Sequence, residues 1–347
     1  MKKKLMLLIA IMLVLSIGAA IIISLSDKSK RIVATEEGDK LRVMTTFYPV
    51  YMIGLNIAEG IDDITIKNLT DLNTGCLHDY QLTTDDMKNI SEADILIING
   101  GGMEGFLSDV EANYPGLKII DTSTGISMLH NGESSEEHAE HQSEHLSEEN
   151  SDEEEHAHGE FNAHVWLDPE LYIKQIENVR DGILSYINVN RPDAVNLEQA
   201  IRNNAQAYID KVASLDNEVK DYAESYASVR TSKSMDSGKA VIFHDSFAYL
   251  AGRVGLSVVY SVPLDADTSL SAGEIAEIVQ EVKKEDIRYL FTEEQFSDSI
   301  ARQIAAETGA RIYIIDSAVT GDGSKDSYIK AMKKNLATLE DAVEDEP

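Results

Sequence analysis

Cysteine is nearly absent from this chain of 347 residues: Cys76 stands alone, so no disulfide can form within it. Stability must come from packed cores. The length allows two domains of ordinary size, and 43% hydrophobic residues can fill them. Basic residues are also scarce, since 30 Lys and Arg face 61 Asp and Glu and give a formal net charge of -31. A chain so negative repels phosphate backbones, which excludes nucleic acid as a partner. Neither an HExxH helix nor a GxSxG elbow occurs, so two common hydrolase signatures are missing. Proline and glycine are absent between Pro192 and Gly238. Nothing there interrupts a helix, and Leu197, Ile201, Ala205, Tyr208, Ile209, Val212 and Leu215 keep helical spacing.

What is present begins with a long apolar run. Met1-Lys2-Lys3-Lys4 precedes Leu5 to Leu25, which has almost no polarity. Basic residues before such a run mark export, and the run is long enough to span a bilayer. Gly18-Ala19-Ala20 makes a poor cleavage site, so residues 1–26 are expected to stay as a membrane anchor, with a cleaved signal peptide as the alternative. The three lysines would remain in the cytoplasm and the body outside. Residues 27–39 read as a polar tether.

Short β-rich runs then alternate with helical stretches. The expected strands are Leu41–Phe47, Ile64–Leu69, Asp94–Asn99 and Leu117–Asp121, and later Lys239–Phe243, Leu256–Val262, Ile287–Thr292 and Arg311–Asp316. Helices are expected near Val50–Glu59, Thr84–Ser91 and Met103–Tyr114. Two more start at Ser271, where Glu274 has capping-box spacing, and near Ser324. Such alternation predicts an α/β fold of two lobes, each a roughly four-stranded, mostly parallel sheet flanked by helices. The proline-free stretch would be one long rigid helix joining them. The expected domains are therefore 40–190, a linking helix over 191–226 with Pro192 in its first turn, and 227–347.

Of nine histidines, His138, His141, His145, His156 and His158 fall in an acidic, low-complexity loop over 131–161. That loop has too few apolar residues to fold alone and reads as a weak, multivalent collector of transition-metal ions. Others stand apart. His78 follows the second strand in "TGCLHDYQLTTDD", His164 precedes a helix in "HVWLDP", and His244 follows a strand in "VIFHDSFAYL". Asp316 ends the last strand. Ligands in open α/β sheets bind beyond the carboxyl ends of strands, where His78, His244 and Asp316 are expected.

These phrases, in this order and with the long helix between them, resemble the zinc/manganese solute-binding proteins of ABC transporters, a family that includes adhesin-like surface lipoproteins. "IIDSAVTGDGSKDSYIKAMKKNL" resembles the family's C-terminal ligand segment, and the match covers about Leu41 to Leu339. The resemblance implies that His78, His164, His244 and Asp316 are the metal ligands. It also implies a monomeric extracytoplasmic protein that captures a metal ion between the lobes and delivers it to an ABC permease. Three imidazoles and one carboxylate suit Zn²⁺, whereas Mn²⁺ favours a shell richer in oxygen. Four protein ligands would leave no open position for catalytic water, so an enzyme is not expected. A manganese-binding relative and a surface adhesin with a structural metal remain the alternatives. Asp168, Asp245 and Glu293 are candidate partners of the ligands, the two aspartates equally readable as helix caps. Some positions depart from the pattern. Leu77 replaces a usual proline, Gln81 a usual glutamate, and no lipid-anchoring cysteine follows the apolar run. Cys76 reads as a small half-buried residue whose thiolate could also join or compete at the site.

Overall fold

The computed structural model describes residues 40–78, 80–130, 161–233, 238–262, 270–294 and 299–344. The expected anchor, the tether and the five histidines His138 to His158 lie outside the described residues. Among the described residues no helix is long and apolar enough to cross a membrane. The chain divides into two compact units, Met1–Leu41 with Asp62–Thr65, and Arg42–Ile61 with Ile66–Pro347. In the first, the Leu41 N–H donates to the Asp63 carbonyl at 2.8 Å. The second contains Cys76, His78, His164, His244 and Asp316.

The N-terminal half supplies β1 (Leu41–Thr45), α1 (Tyr48–Ile57), β2 (Ile64–Asn68), α2 (Thr84–Ser91), β3 (Ile95–Ile98), α3 (Leu107–Asn113) and β4 (Lys118–Asp121). Two long helices follow, α4 (Pro169–Asn190) and α5 (Val195–Lys233). The C-terminal half supplies β5 (Lys239–Ile242), α6 (Ala248–Arg253), β6 (Ser257–Ser261), α7 (Ala272–Lys284), β7 (Tyr289–Glu293), α8 (Ser299–Thr308), β8 (Arg311–Ile315) and α9 (Ser327–Glu344). The strands form two four-stranded sheets, ordered β2-β1-β3-β4 and β6-β5-β7-β8. The pairs β1–β3, β3–β4, β5–β6, β5–β7 and β7–β8 are all parallel. Every residue of β3 and of β7 is buried, as expected of strands covered on both faces. The C-terminal core packs Val241, Phe243 and Leu290 of the sheet against Ile278, Val279 and Ile304 of the helices.

Helix ends follow local chemistry. Thr83 and Asp86 form a capping box at α2, and Ser271 and Glu274 form one at α7. Asp168 caps α4, its Oδ1 accepting from the Glu170 N–H at 2.8 Å, and Pro169 fills the first turn. Pro192 does not open the long helix. It follows the end of α4 at Arg191, in a turn closed by the Ala194 N–H on the Arg191 carbonyl at 2.9 Å, and α5 begins at Val195. Proline there stops the preceding helix, since it cannot continue one. Helix α5 joins the two lobes and packs against α1, α4, α6 and α9.

In both sheets the chain first winds to one side and then to the other, so β1/β3 and β5/β7 are topological switch points. Loops beyond the carboxyl ends of such strands diverge and leave a crevice. Beyond β3, Gly100, Gly101 and Gly102 all adopt positive φ, at 82°, 65° and 88°. A Cβ on Gly100 would lie 1.9 Å from Asp121 Oδ1, so only glycine fits this turn.

Candidate metal centre

Each site histidine is held by its own local structure. His78 lies in the loop after β2, which is pinned by the fully buried Leu77 and by Tyr80, whose hydroxyl donates to Asp86 Oδ2 at 3.0 Å. His164 is fully buried and opens the short 3-10 turn Val165–Leu167. The residues before it are tied to the end of β3. Asn99 Nδ2 donates to the Ala163 carbonyl at 2.9 Å, while Gln175 of α4 donates to Asn99 Oδ1 at 2.9 Å. Asn162 then sets the ring. Its Oδ1 accepts from the His164 backbone N–H at 3.0 Å and lies 2.9 Å from His164 Nδ1. With a proton on Nδ1, the ring presents Nε2 as a bare lone pair.

His244 follows β5 at the switch point, and Glu293 ends the neighbouring β7. His244 Nδ1 lies 2.9 Å from Glu293 Oε1, and Ser246 donates its hydroxyl to the same oxygen. A buried carboxylate on one ring nitrogen fixes the tautomer and makes the other nitrogen a stronger donor to a metal.

The loops converge. Cys76 Sγ and ring nitrogens of His164 and His244 all lie within 4.8 Å of one another. Cys76 Sγ is 3.6 Å from His164 Nε2, and His78 Nε2 is 3.4 Å from the same nitrogen. Asp245 Oδ1 stands 3.5 Å from His164 Nδ1 and 3.6 Å from His244 Nε2. His78, which meets the set of three through His164, is outside it, and so is Asp316. Its carboxylate is part-buried, and its Oδ1 accepts from the Ala318 N–H at 2.9 Å in a turn where Ala318 has φ 56°. Asp168 caps α4 and reaches Arg253 Nε at 3.5 Å.

Electrostatics favour neutral imidazole beside carboxylate. Burial, and then repulsion from His244 and His78, hold the His164 ring well below the usual histidine range. Burial pushes Glu293 up, but His244 and the hydrogen bonds from His244, Ser246 and Ser317 outweigh it and leave its pKa lowered. Burial raises Asp316, against the Ala318 N–H and Lys334. Such a donor set offers nitrogen and sulfur to a borderline cation.

Sequence reasoning missed two supporting residues. Asn162 had a readable signal, because a polar side chain two residues before His164 can accept its N–H. Tyr249 had none. From α6 its hydroxyl accepts from the Leu129 N–H at 3.0 Å and donates to the Asn162 carbonyl at 2.6 Å. It thereby ties the two chain segments that flank residues 131–160. The same segments meet at a β-bridge between His130 and Phe161.

The family model of the "Zinc-uptake complex component A periplasmic" matches residues 43–342. The zinc-binding protein AdcA of Streptococcus pyogenes serotype M3 is 30% identical over 345 residues, covering 98% of this chain and 61% of AdcA. This chain thus spans about three fifths of that relative's length, 61%. The high-affinity zinc uptake system protein ZnuA of Bacillus subtilis is 30% identical over 317 residues, 89% of this chain and 90% of that one. The crystal structure of Zn(II)-bound AdcA from Streptococcus pneumoniae has a TM-score of 0.66 and 27% identity, covering 88% of this chain and 58% of that one. Fold, motif order and these likenesses agree, and the chain belongs to the family of periplasmic A components of zinc-uptake complexes.

Proposed function

We propose that this protein captures Zn²⁺ outside the cytoplasm, between its two lobes, and delivers it to an ABC permease. It acts as a carrier and not as an enzyme. His78, His164 and His244 bind the ion, and the family resemblance offers Asp316 as a carboxylate candidate for the fourth position. The observation that carries this reading is the approach of imidazole nitrogens from separate loops, half-buried His78 Nε2 to buried His164 Nε2 at 3.4 Å, beside buried His244. Nitrogen donors in a buried site favour Zn²⁺ over Mn²⁺. The acidic loop over 131–161 raises the local Zn²⁺ concentration, and the ion then passes to the tight site. Ordering so polar a loop costs entropy, which suits collection better than retention. The apolar run of residues 1–26 holds the body at the outer face of the membrane, or releases it after cleavage.

Metal content and competition titration of the full chain, beside a variant lacking Gly132–Glu160, test this. One tight Zn²⁺ in both proteins, with slower capture in the deletion variant, is the expected result. Tight Mn²⁺ with weak Zn²⁺, or no stoichiometric metal, would overturn it. If deletion removed the tight site, the division of labour between loop and site would be wrong.

The hydrogen bonds of Asn162 predict a second effect. Asn162 also donates from Nδ2 to the Asp245 carbonyl at 2.8 Å, so it links the His164 and His244 loops. Asn162→Ala is expected to weaken Zn²⁺ binding by about 10–100-fold, as loss of an outer partner typically does. Competition titration measures it, and an affinity within about threefold of the parent would remove Asn162 from this role.

A further inference from the structure

The sulfur of Cys76 reaches the same nitrogen as His78 does, and its distance is informative. A tetrahedral Zn²⁺ with bonds of about 2.3 Å to sulfur and about 2.0–2.1 Å to nitrogen sets a sulfur and a nitrogen ligand about 3.5–3.6 Å apart. It sets two nitrogen ligands about 3.3–3.4 Å apart. Cys76 Sγ lies 3.6 Å from His164 Nε2, and His78 Nε2 lies 3.4 Å from it. Taken singly, each contact has the edge length of a zinc tetrahedron. The sulfur also lies within 4.8 Å of a ring nitrogen of His244, which approaches from the other lobe. His78 and Asp316 are both outside that cluster, but His78 Nε2 meets His164 Nε2 at 3.4 Å, whereas Asp316 Oδ1 accepts the Ala318 N–H at 2.9 Å.

We propose that Cys76 is a ligand of the transported ion, closing a shell of one thiolate and three imidazoles with His78, His164 and His244 in place of Asp316. The inference rests on the reading that these histidines bind Zn²⁺. As the metal–sulfur bond forms, the thiol gives its proton to solvent. Leu77, fully buried beside it, holds the backbone that aims both Cys76 and His78. Thiolate is a soft donor, so Cys76 sets selectivity: it strengthens binding of Zn²⁺ and penalises Mn²⁺, which prefers oxygen. A site of three imidazoles and a carboxylate discriminates less.

Cobalt(II) replaces Zn²⁺ in tetrahedral sites and reports its ligands by colour. The full chain loaded with one equivalent of Co²⁺ is expected to show a sulfur-to-cobalt charge-transfer band in the near ultraviolet. Cys76→Ser and Cys76→Ala should lose that band, keep one bound metal, weaken Zn²⁺ by about tenfold or more, and narrow the preference for Zn²⁺ over Mn²⁺. Stoichiometric Co²⁺ without the band in the parent protein would overturn the inference while leaving the histidine site and Asp316 standing. No stoichiometric metal in the parent would overturn the zinc-binding reading and this inference together. The parent spectrum needs no variant to fold, so the decisive readout does not depend on one.

Discussion

His164→Ala is expected to lose tight Zn²⁺ binding, by about a hundredfold or more, a larger drop than loss of an outer partner produces. His164 is the shared neighbour in the site. Its Nε2 stands 3.6 Å from Cys76 Sγ and 3.4 Å from His78 Nε2, and its ring centroid is 4.8 Å from that of His244. Removing it leaves donors from separate loops with no common centre. Competition titration checks this, with a far-ultraviolet spectrum to show that the variant folds. An affinity within about threefold of the parent would exclude His164 from the ligand set.

The same residue makes the metal-free protein sensitive to acid. The folded His164 has a pKa well below the ordinary 6.5 because of burial and of His244 and His78 nearby. Below about pH 6.5 the unfolded chain takes up a proton there and the folded chain does not. The contribution of His164 to stability is therefore complete above that pH and is lost as pH falls below it toward the folded value. Glu293 acts in the same direction, since its lowered folded pKa gives stability above its ordinary 4.5 that is lost as pH falls through the folded value. His164→Ala should remove the upper part of this decline. Urea unfolding of the metal-free proteins between pH 5 and pH 8, roughly, would show a flatter curve for the variant if the linkage is right.

Much of the fold was legible because parallel strands buried on both faces are written as apolar runs. Ile95–Ile98 and Tyr289–Glu293 are such strands, and neither can be mistaken for a solvated segment. The long helix was legible from the absence of breakers, but its ends were not. Helical spacing continues to Lys233, and Pro192 proved to end one helix and not to begin the next. Helix α4 was noticed only as something following "HVWLDP", although Asp168 and Pro169 mark its start as plainly as any cap in the chain. The site was legible in part. Strand-end position suggested His244, and motif resemblance suggested His164, because those signals are local. The approach of Cys76 to His164 joins positions 88 residues apart in sequence, and Tyr249 to Asn162 joins positions 87 apart. No periodicity encodes such meetings. The engagement of Asp316 with Ala318 depends on a backbone turn at φ 56° in a non-glycine residue, which sequence gives no reason to expect.

Trp166→Ala is expected to cost about 3–5 kcal/mol of folding stability, the range for deleting a buried aromatic side chain from a packed core. Trp166 is fully buried two residues after His164. Its ring meets Phe47 edge-on at 5.2 Å and 78°, and lies 5.1 Å from the His164 ring. Its Nε1 donates to the Ser317 carbonyl at 2.8 Å, and its own carbonyl accepts from the Tyr328 hydroxyl at 2.7 Å. One side chain therefore holds the end of β1, the His164 turn and the segment after β8 together. Alanine would remove the ring and leave the Ser317 carbonyl without its donor. Trp166→Phe separates the two losses, keeping most of the packing and costing about 1–3 kcal/mol for the orphaned carbonyl. Denaturant unfolding followed by circular dichroism measures both, since the only tryptophan is the one removed. A shifted midpoint at unchanged slope is the expected form, and a loss below about 1 kcal/mol for the alanine variant would show that the turn is held by its hydrogen bonds alone. Because the turn begins at His164, the alanine variant should also bind Zn²⁺ more weakly, and the phenylalanine variant less so. That ordering follows if packing, more than the single hydrogen bond to Ser317, fixes where the His164 ring stands.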